Sequence, residues 1–253
     1  MRIQTFGDET KPKLLALHPM LLDGQSMVQL AGKLREDFCI IAPDLSGQGE
    51  DPGTFESAEQ EAETLYAYLK ENGWLDLVLV YGASLGASVG LELLAKPGLK
   101  VQAAVFDGCP LYRNAPVLRW GLTKVFLSKH RKAVRNPGLS ERKMTELYGP
   151  VAGPSMGKHF ETVSEASIRG IVAACSRCSF HRYPKKLEQR LYFEYGSKDF
   201  DLNEGKKNLA KYYPNATLTV REGYGHCQYM SSLGEGYGEV LSGYLRGETA
   251  VGK

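Results

Sequence analysis

The pentapeptide Gly82-Ala83-Ser84-Leu85-Gly86 has the G-x-S-x-G spacing, in which a serine hydroxyl is held on a sharp turn between a strand and a helix. Such a turn leaves no room for larger side chains at the glycine positions, because they would meet neighbouring backbone. The flanks fit this context. Leu77 to Tyr81 is a continuous apolar run, and Leu85 to Leu94 offers Val89, Leu91, Leu93 and Leu94 for packing as a helix. The N-terminus of that helix would direct free N–H groups and its positive dipole end toward the serine, stabilising negative charge on a substrate oxygen. The chemistry suggested is nucleophilic. It requires an imidazole to take the serine proton and a carboxylate to fix the imidazole tautomer. A glycine-rich turn can also belong to a nucleotide-binding sheet, but the G-x-G-x-x-G spacing and the P-loop lysine are both missing.

Partners for the serine come from a short roster. His18 ends an apolar run, His226 sits in Gly223-Tyr224-Gly225-His226 after another, and His130, His159 and His181 lie in a less regular middle section. Asp107 and Asp199 each follow a strand-like run and are alternatives for the acid, whereas Asp201 and Glu222 read as solvated surface groups.

The elements that must position these residues follow from hydrophobic periodicity. Apolar runs at Lys13 to His18, Phe38 to Ala42, Leu77 to Tyr81, Val101 to Phe106, Leu191 to Tyr195 and Ala216 to Arg221 predict strands buried on both faces. Between them, Ser57 caps a predicted helix carrying Ala62, Leu65, Tyr66 and Leu69, and Glu204 to Tyr213 and Leu233 to Leu245 have the same spacing. This alternation predicts an α/β domain with a mainly parallel central sheet flanked by helices. From Leu111 to Arg190 the rhythm breaks. Leu118, Leu122, Val125 and Phe126 make one helical stripe; Ile168, Ile171, Val172 and Cys175 make another, with Ser164 as N-cap. An inserted helical cap over residues 111–186 is therefore expected, with the remaining core domain formed by 1–110 and 187–253. Gly247 to Lys253 reads as a loose tail.

With these motifs in order, the chain resembles the α/β-hydrolase superfamily, whose catalytic residues run Ser, then Asp or Glu, then His. The resemblance is carried by His18-Pro19-Met20-Leu21, Pro43 to Gly49, the Ser84 pentapeptide, and the Gly196-Ser197-Lys198-Asp199 and Gly225-His226 loops. It implies Ser84 as nucleophile, Asp199 as acid and His226 as base, with the backbone N–H groups of Leu85 and Met20 binding the oxyanion. Pro19 stands where the family usually has glycine, which stiffens the loop and removes one N–H, so Leu21 is the alternative donor to Met20. The implied activity is hydrolysis of a small carboxylic ester or thioester through an acyl-enzyme on Ser84, with no cofactor and no metal. Carbon–carbon bond hydrolysis of a carboxylate-bearing diketone is one alternative, and a non-catalytic small-molecule binding protein on the same fold is another.

Charge refines the substrate expectation. The net charge of +2 gives no support to a nucleic-acid partner. It conceals sixteen Lys and Arg against five Asp and Glu between Leu111 and Arg190, so the insertion is basic and the rest acidic. A basic cap would favour anionic substrates if its cations faced the active site, and would merely solvate the lid if they did not. No apolar run is long enough to span a membrane, and the five cysteines are odd in number, which together point to a cytoplasmic protein without disulfides. Cys175-Ser176-Arg177-Cys178 with His181 lacks the second ligand pair of a structural zinc site, and Cys175 reads as a packing residue. Trp120 and Phe126 are candidates to line an acyl pocket, or else ordinary lid packing.

Overall fold

The computed structural model describes residues 1–248, so the tail expected from Gly247 lies outside the described residues from position 249 onward. A seven-stranded sheet runs through the molecule in the order β1-β3-β2-β4-β5-β6-β7. Its strands are β1 (Thr5–Phe6), β2 (Lys13–Leu17), β3 (Cys39–Ile41), β4 (Asp76–Ala83), β5 (Lys100–Asp107), β6 (Leu191–Gly196) and β7 (Thr217–Arg221). All pair in parallel except β1, which lies antiparallel on β3. The six strands expected from sequence are present; β1, two residues long, was too short to give a signal.

Alternation along the strands divides the interior into two layers. In β2, Leu14 and Ala16 enter one cluster while Leu15 and Leu17 enter the other, so the sheet is apolar on both faces as parallel sheets require. The helices α1 (Gly24–Ala31), α2 (Leu34–Asp37), α3 (Ala58–Glu71) and α4 (Leu85–Leu94) come from the first half. The second half supplies α5 (Pro116–Arg135), α6 (Leu139–Thr162), α7 (Glu165–Ala174), α8 (Lys185–Glu188), α9 (Leu202–Tyr212), α10 (Gln228–Leu233) and α11 (Tyr237–Arg246). The Ser57 and Ser164 side chains accept from Gln60 N and Ser167 N, the caps their positions predicted.

Helices α5, α6 and α7, followed by the short α8, fill the interval between β5 and β6. Their positions agree with the two helical stripes, but α6 was not legible because Gly149, Pro150 and Pro154 interrupt it. Gly149 leaves helical geometry at φ 81° and ψ 176°, and Pro150 then opens a second helical segment, where a missing N–H does no harm. That segment folds back on the first. A Cβ on Gly157 would lie 2.3 Å from the Glu141 Cα, and one on Gly153 equally close to Thr145 Cα, so glycine spacing allows the two segments to touch backbone to backbone.

Candidate active site

Ser84 lies where β4 turns into α4, at φ 48° and ψ −109°, a left-handed backbone conformation that costs an ordinary residue on the order of 1–3 kcal/mol. The turn is held by the Ser84 N–H, which donates to Asp107 O at 2.7 Å. Both flanking glycines are required by space: a Cβ at Gly82 would approach Gly86 O to 2.6 Å, and one at Gly86 would approach Leu17 O to 2.3 Å.

The loops after β6 and β7 converge on this turn. His226 Nε2 is 2.9 Å from Ser84 Oγ, and His226 Nδ1 is 3.1 Å from each carboxylate oxygen of Asp199. A carboxylate only accepts, so Nδ1 carries the proton and the bare Nε2 accepts from the serine hydroxyl. Burial lowers the basicity of His226, but the Asp199 hydrogen bond and the charges of Asp199 and Asp201 outweigh it, leaving its pKa above the usual imidazole value. Asp107 is close yet forms no hydrogen bond to His226; burial first, then the nearby Glu194, pushes its carboxyl well above the carboxylate range. His18 is occupied elsewhere in the fold. Its Nε2 accepts from Leu45 N at 3.0 Å and its Nδ1 faces Pro19 O at 2.7 Å, in a fully buried position.

The two amides expected near the substrate oxygen differ in what they already bind. Leu85 is the first residue of α4, where an N–H has no intrahelical acceptor. Across from it, the Leu21 N–H donates to Gln48 Oε1 at 3.0 Å, whereas no acceptor for the Met20 N–H is found among the described residues. Leu21 thus has its donor engaged, and Met20 keeps one open. Asp44, in the Pro43 to Gly49 loop, accepts from Gly24 N at 2.8 Å and Glu50 N at 3.1 Å, a structural role.

A cavity of about 240 Å³ opens beside Ser84 and His226. Leu118, Leu122 and Phe126 of α5, Met144, Leu147, Tyr148 and Met156 of α6, and Ile171, Val172 and Cys175 of α7 form its apolar roof. Phe200 stacks on the His226 ring at 4.8 Å between centroids and lines the same space. Two expectations change here. Trp120 does not reach the cavity and is 63% exposed, with Lys124 Nζ 4.0 Å over its ring, and Val125 also faces outward. The cations of the insertion are exposed from Arg113 to Lys186, and none lines the cavity.

Sequence reasoning missed a second buried carboxylate beside His226. Asp201, read as a surface group, is buried, and its Oδ2 is 3.7 Å from His226 Nδ1. Its placement two residues after Asp199 was the available signal. Glu222 is exposed as expected. Cys175 packs in the cavity wall with its thiol pushed up to about 12 by burial, and His181 Nε2 lies 2.6 Å from Glu92 Oε2. Among the described residues, no helix is long and apolar enough to cross a membrane.

Comparison with known proteins agrees with this architecture. A family model described as the alpha/beta hydrolase family matches residues 16–235. Among solved structures, MenH from S. aureus superposes with a TM-score of 0.73 at 15% identity, covering 98% of each chain. A thermophilic esterase from Thermogutta terrifontis gives 0.72 at 18% identity, covering 98% of this chain and 93% of that one. Carboxylesterases of Nitrososphaera gargenis give 0.71 at 19% identity over 96% of this chain and 93% of theirs. At these identities the likeness establishes the fold. No curated protein matches the chain.

Proposed function

The chain belongs to the alpha/beta hydrolase family, and on that premise we propose that it is a serine hydrolase cleaving a neutral carboxylic ester or thioester through an acyl-enzyme on Ser84. The observation that carries this reading is the unbroken hydrogen-bond chain from Ser84 Oγ through the His226 ring to Asp199. In the first half-reaction, Ser84 Oγ attacks the acyl carbon while His226 Nε2 takes its proton. The Leu85 and Met20 N–H groups receive the oxyanion, since the Leu21 N–H is engaged by Gln48. His226 then protonates the departing alkoxide or thiolate, and a water activated by the same nitrogen releases the acid. Asp199 holds the Nδ1 proton throughout and stabilises the imidazolium.

In this reading residues 1–110 and 187–253 form the catalytic core and 111–186 a helical cap whose inner surface is the acyl pocket. The apolar lining, free of Lys and Arg, supports an uncharged acyl group over the anionic one that the insertion's composition suggested. The same lining gives no partner to the carboxylate of a diketone acid, the feature that recommended carbon–carbon hydrolysis. The esterase and carboxylesterase relatives in fold point the same way. A panel of acyl esters and acyl-CoA thioesters tests the reading. Turnover by the protein and its loss in Ser84→Ala, by on the order of 10³-fold or more, is expected. Equal turnover by the two proteins would overturn it.

A further inference from the structure

The loop after β6 carries a second buried carboxylate beside the histidine. Asp201 Oδ2 stands 3.7 Å from His226 Nδ1, and its other oxygen, Oδ1, accepts from Tyr112 OH at 2.7 Å. The Asp201 N–H donates to Asp199 Oδ1 at 3.0 Å, so the two carboxylates are locked into one arrangement. Tyr112 belongs to the segment that leaves β5 for α5, and both Tyr112 and Asp201 line the cavity.

We propose that Asp201, anchored by Tyr112, is a positioning residue that supplements Asp199: its charge supports the His226 imidazolium and sets the pH at which the base becomes available. The inference rests on the serine hydrolase reading, because it concerns the base of that mechanism. The physical reason is the low local dielectric. Asp199 already accepts the Nδ1 proton, but an imidazolium formed under an apolar roof gains from a second negative charge within 4 Å of it, provided that charge is fixed. Tyr112 fixes it, and also stabilises the ionised form of Asp201 by donating to it.

Asp201 is the carboxylate near His226 that Tyr112 anchors, and Asp107, pushed well above the carboxylate range by burial and then Glu194, is a further titrating group that Asp201→Asn leaves in place. The acidic neighbours are Asp199 on the same loop and Asp107 at the end of β5, with Glu204 of α9 acting on Tyr112. Tyr195, Tyr148, Cys109 and Cys227 are held neutral by burial, as are Tyr112 and Cys175. Burial first, with Asp199 adding to it, lifts Asp201 to about 6, while His226 and Tyr112 pull it the other way. Asp201 is therefore charged through most of the range in which His226 must act as a base.

The test is the rate at which a fluorophosphonate labels Ser84 in the full chain, followed from about pH 5 to about pH 9. Asp201→Asn keeps the shape of the side chain, and loss of its charge is expected to move the acid limb down by on the order of one pH unit. Tyr112→Phe should shift it less in the same direction, and the double variant no further than Asp201→Asn, because both changes act through one carboxylate. A uniform slowing in Asp201→Asn with an unmoved midpoint would make the residue merely structural, and additive shifts would remove Tyr112 from the account. Absence of Ser84 labelling in the unmodified protein would be a different failure, that of the hydrolase reading itself.

Discussion

The Leu21 N–H donates to the Gln48 side chain at 3.0 Å, across a separation of 27 residues, and this bond engages the amide that was the alternative to Met20. Leu21 is also held at φ 74°, a conformation its branched side chain would not choose unaided. Gln48 therefore fixes the loop that presents Met20. Replacing Gln48 with Leu removes the acceptor at similar volume. If Met20 is an oxyanion donor, as proposed, it acts in the transition state, and kcat should fall roughly 10- to 100-fold with little change in KM. Steady-state kinetics on one neutral ester decides; a rise in KM alone would place Gln48 in binding.

Ser84 stores backbone strain for the sake of its position. A glycine accepts φ 48° without the strain that serine or alanine bears there. Ser84→Gly should abolish turnover yet unfold with about 1 kcal/mol more stability than Ser84→Ala, which keeps the strain. Urea denaturation of the two inactive variants, compared side by side, measures the difference.

Much of this was legible in the sequence, for reasons visible in particular residues. Strands β2, β4, β5 and β6 announce themselves because parallel strands are buried on both faces, and Ser84 could be placed because Gly82 and Gly86 answer to a collision any Cβ would cause. Asp199 and His226 came from the resemblance to the α/β-hydrolase order of catalytic residues, and the structure sets His226 within hydrogen-bond distance of both Ser84 and Asp199. What failed was anything decided by direction. Trp120 and Phe126 share one helix, yet only Phe126 faces the cavity, and the many cations around them gave no hint that all would turn outward. Helix α6 was hidden because a glycine kink and two prolines look like a loop until the folded-back segment supplies packing. Asp201 was misread because carboxylates are usually solvated, and only the histidine and Tyr112 brought together by folding make its burial tolerable.

Asp201 also gives stability a specific pH dependence. Its pKa rises from 3.8 in the unfolded chain to about 6 in the fold, chiefly by burial, so the sign is opposite to that of a salt-bridged carboxylate. Below pH 3.8 both states hold the proton and the group contributes nothing; as pH rises toward about 6 only the unfolded state releases it, and folding loses stability. Above that range the penalty is constant. Asp201→Asn should therefore raise Tm near neutral pH, by an amount on the order of 1–3 kcal/mol in stability, and leave it unchanged in strong acid. Thermal melts of both proteins across this range are the measurement.

Substrate charge should matter in the direction set by the cavity and not by the composition of the cap. A carboxylate on the acyl chain would be buried among Leu118, Phe126, Met144 and Val172 without a cation to meet it. Matched pairs of neutral and carboxylate-bearing esters of equal length should differ in kcat/KM by on the order of 10²-fold in favour of the neutral member. Equal rates, or a preference for the acid that weakens with salt, would instead assign a binding role to the exposed cap cations.

Whether Ser84 is the nucleophile is read from the mass of the intact protein after reaction with a fluorophosphonate, followed by mapping of the modified peptide. One adduct on Ser84, absent after heat denaturation and absent in His226→Ala, is the predicted result. An unmodified protein, or an adduct carried by another residue while Ser84 stays free, would mean that Ser84 is not the nucleophile.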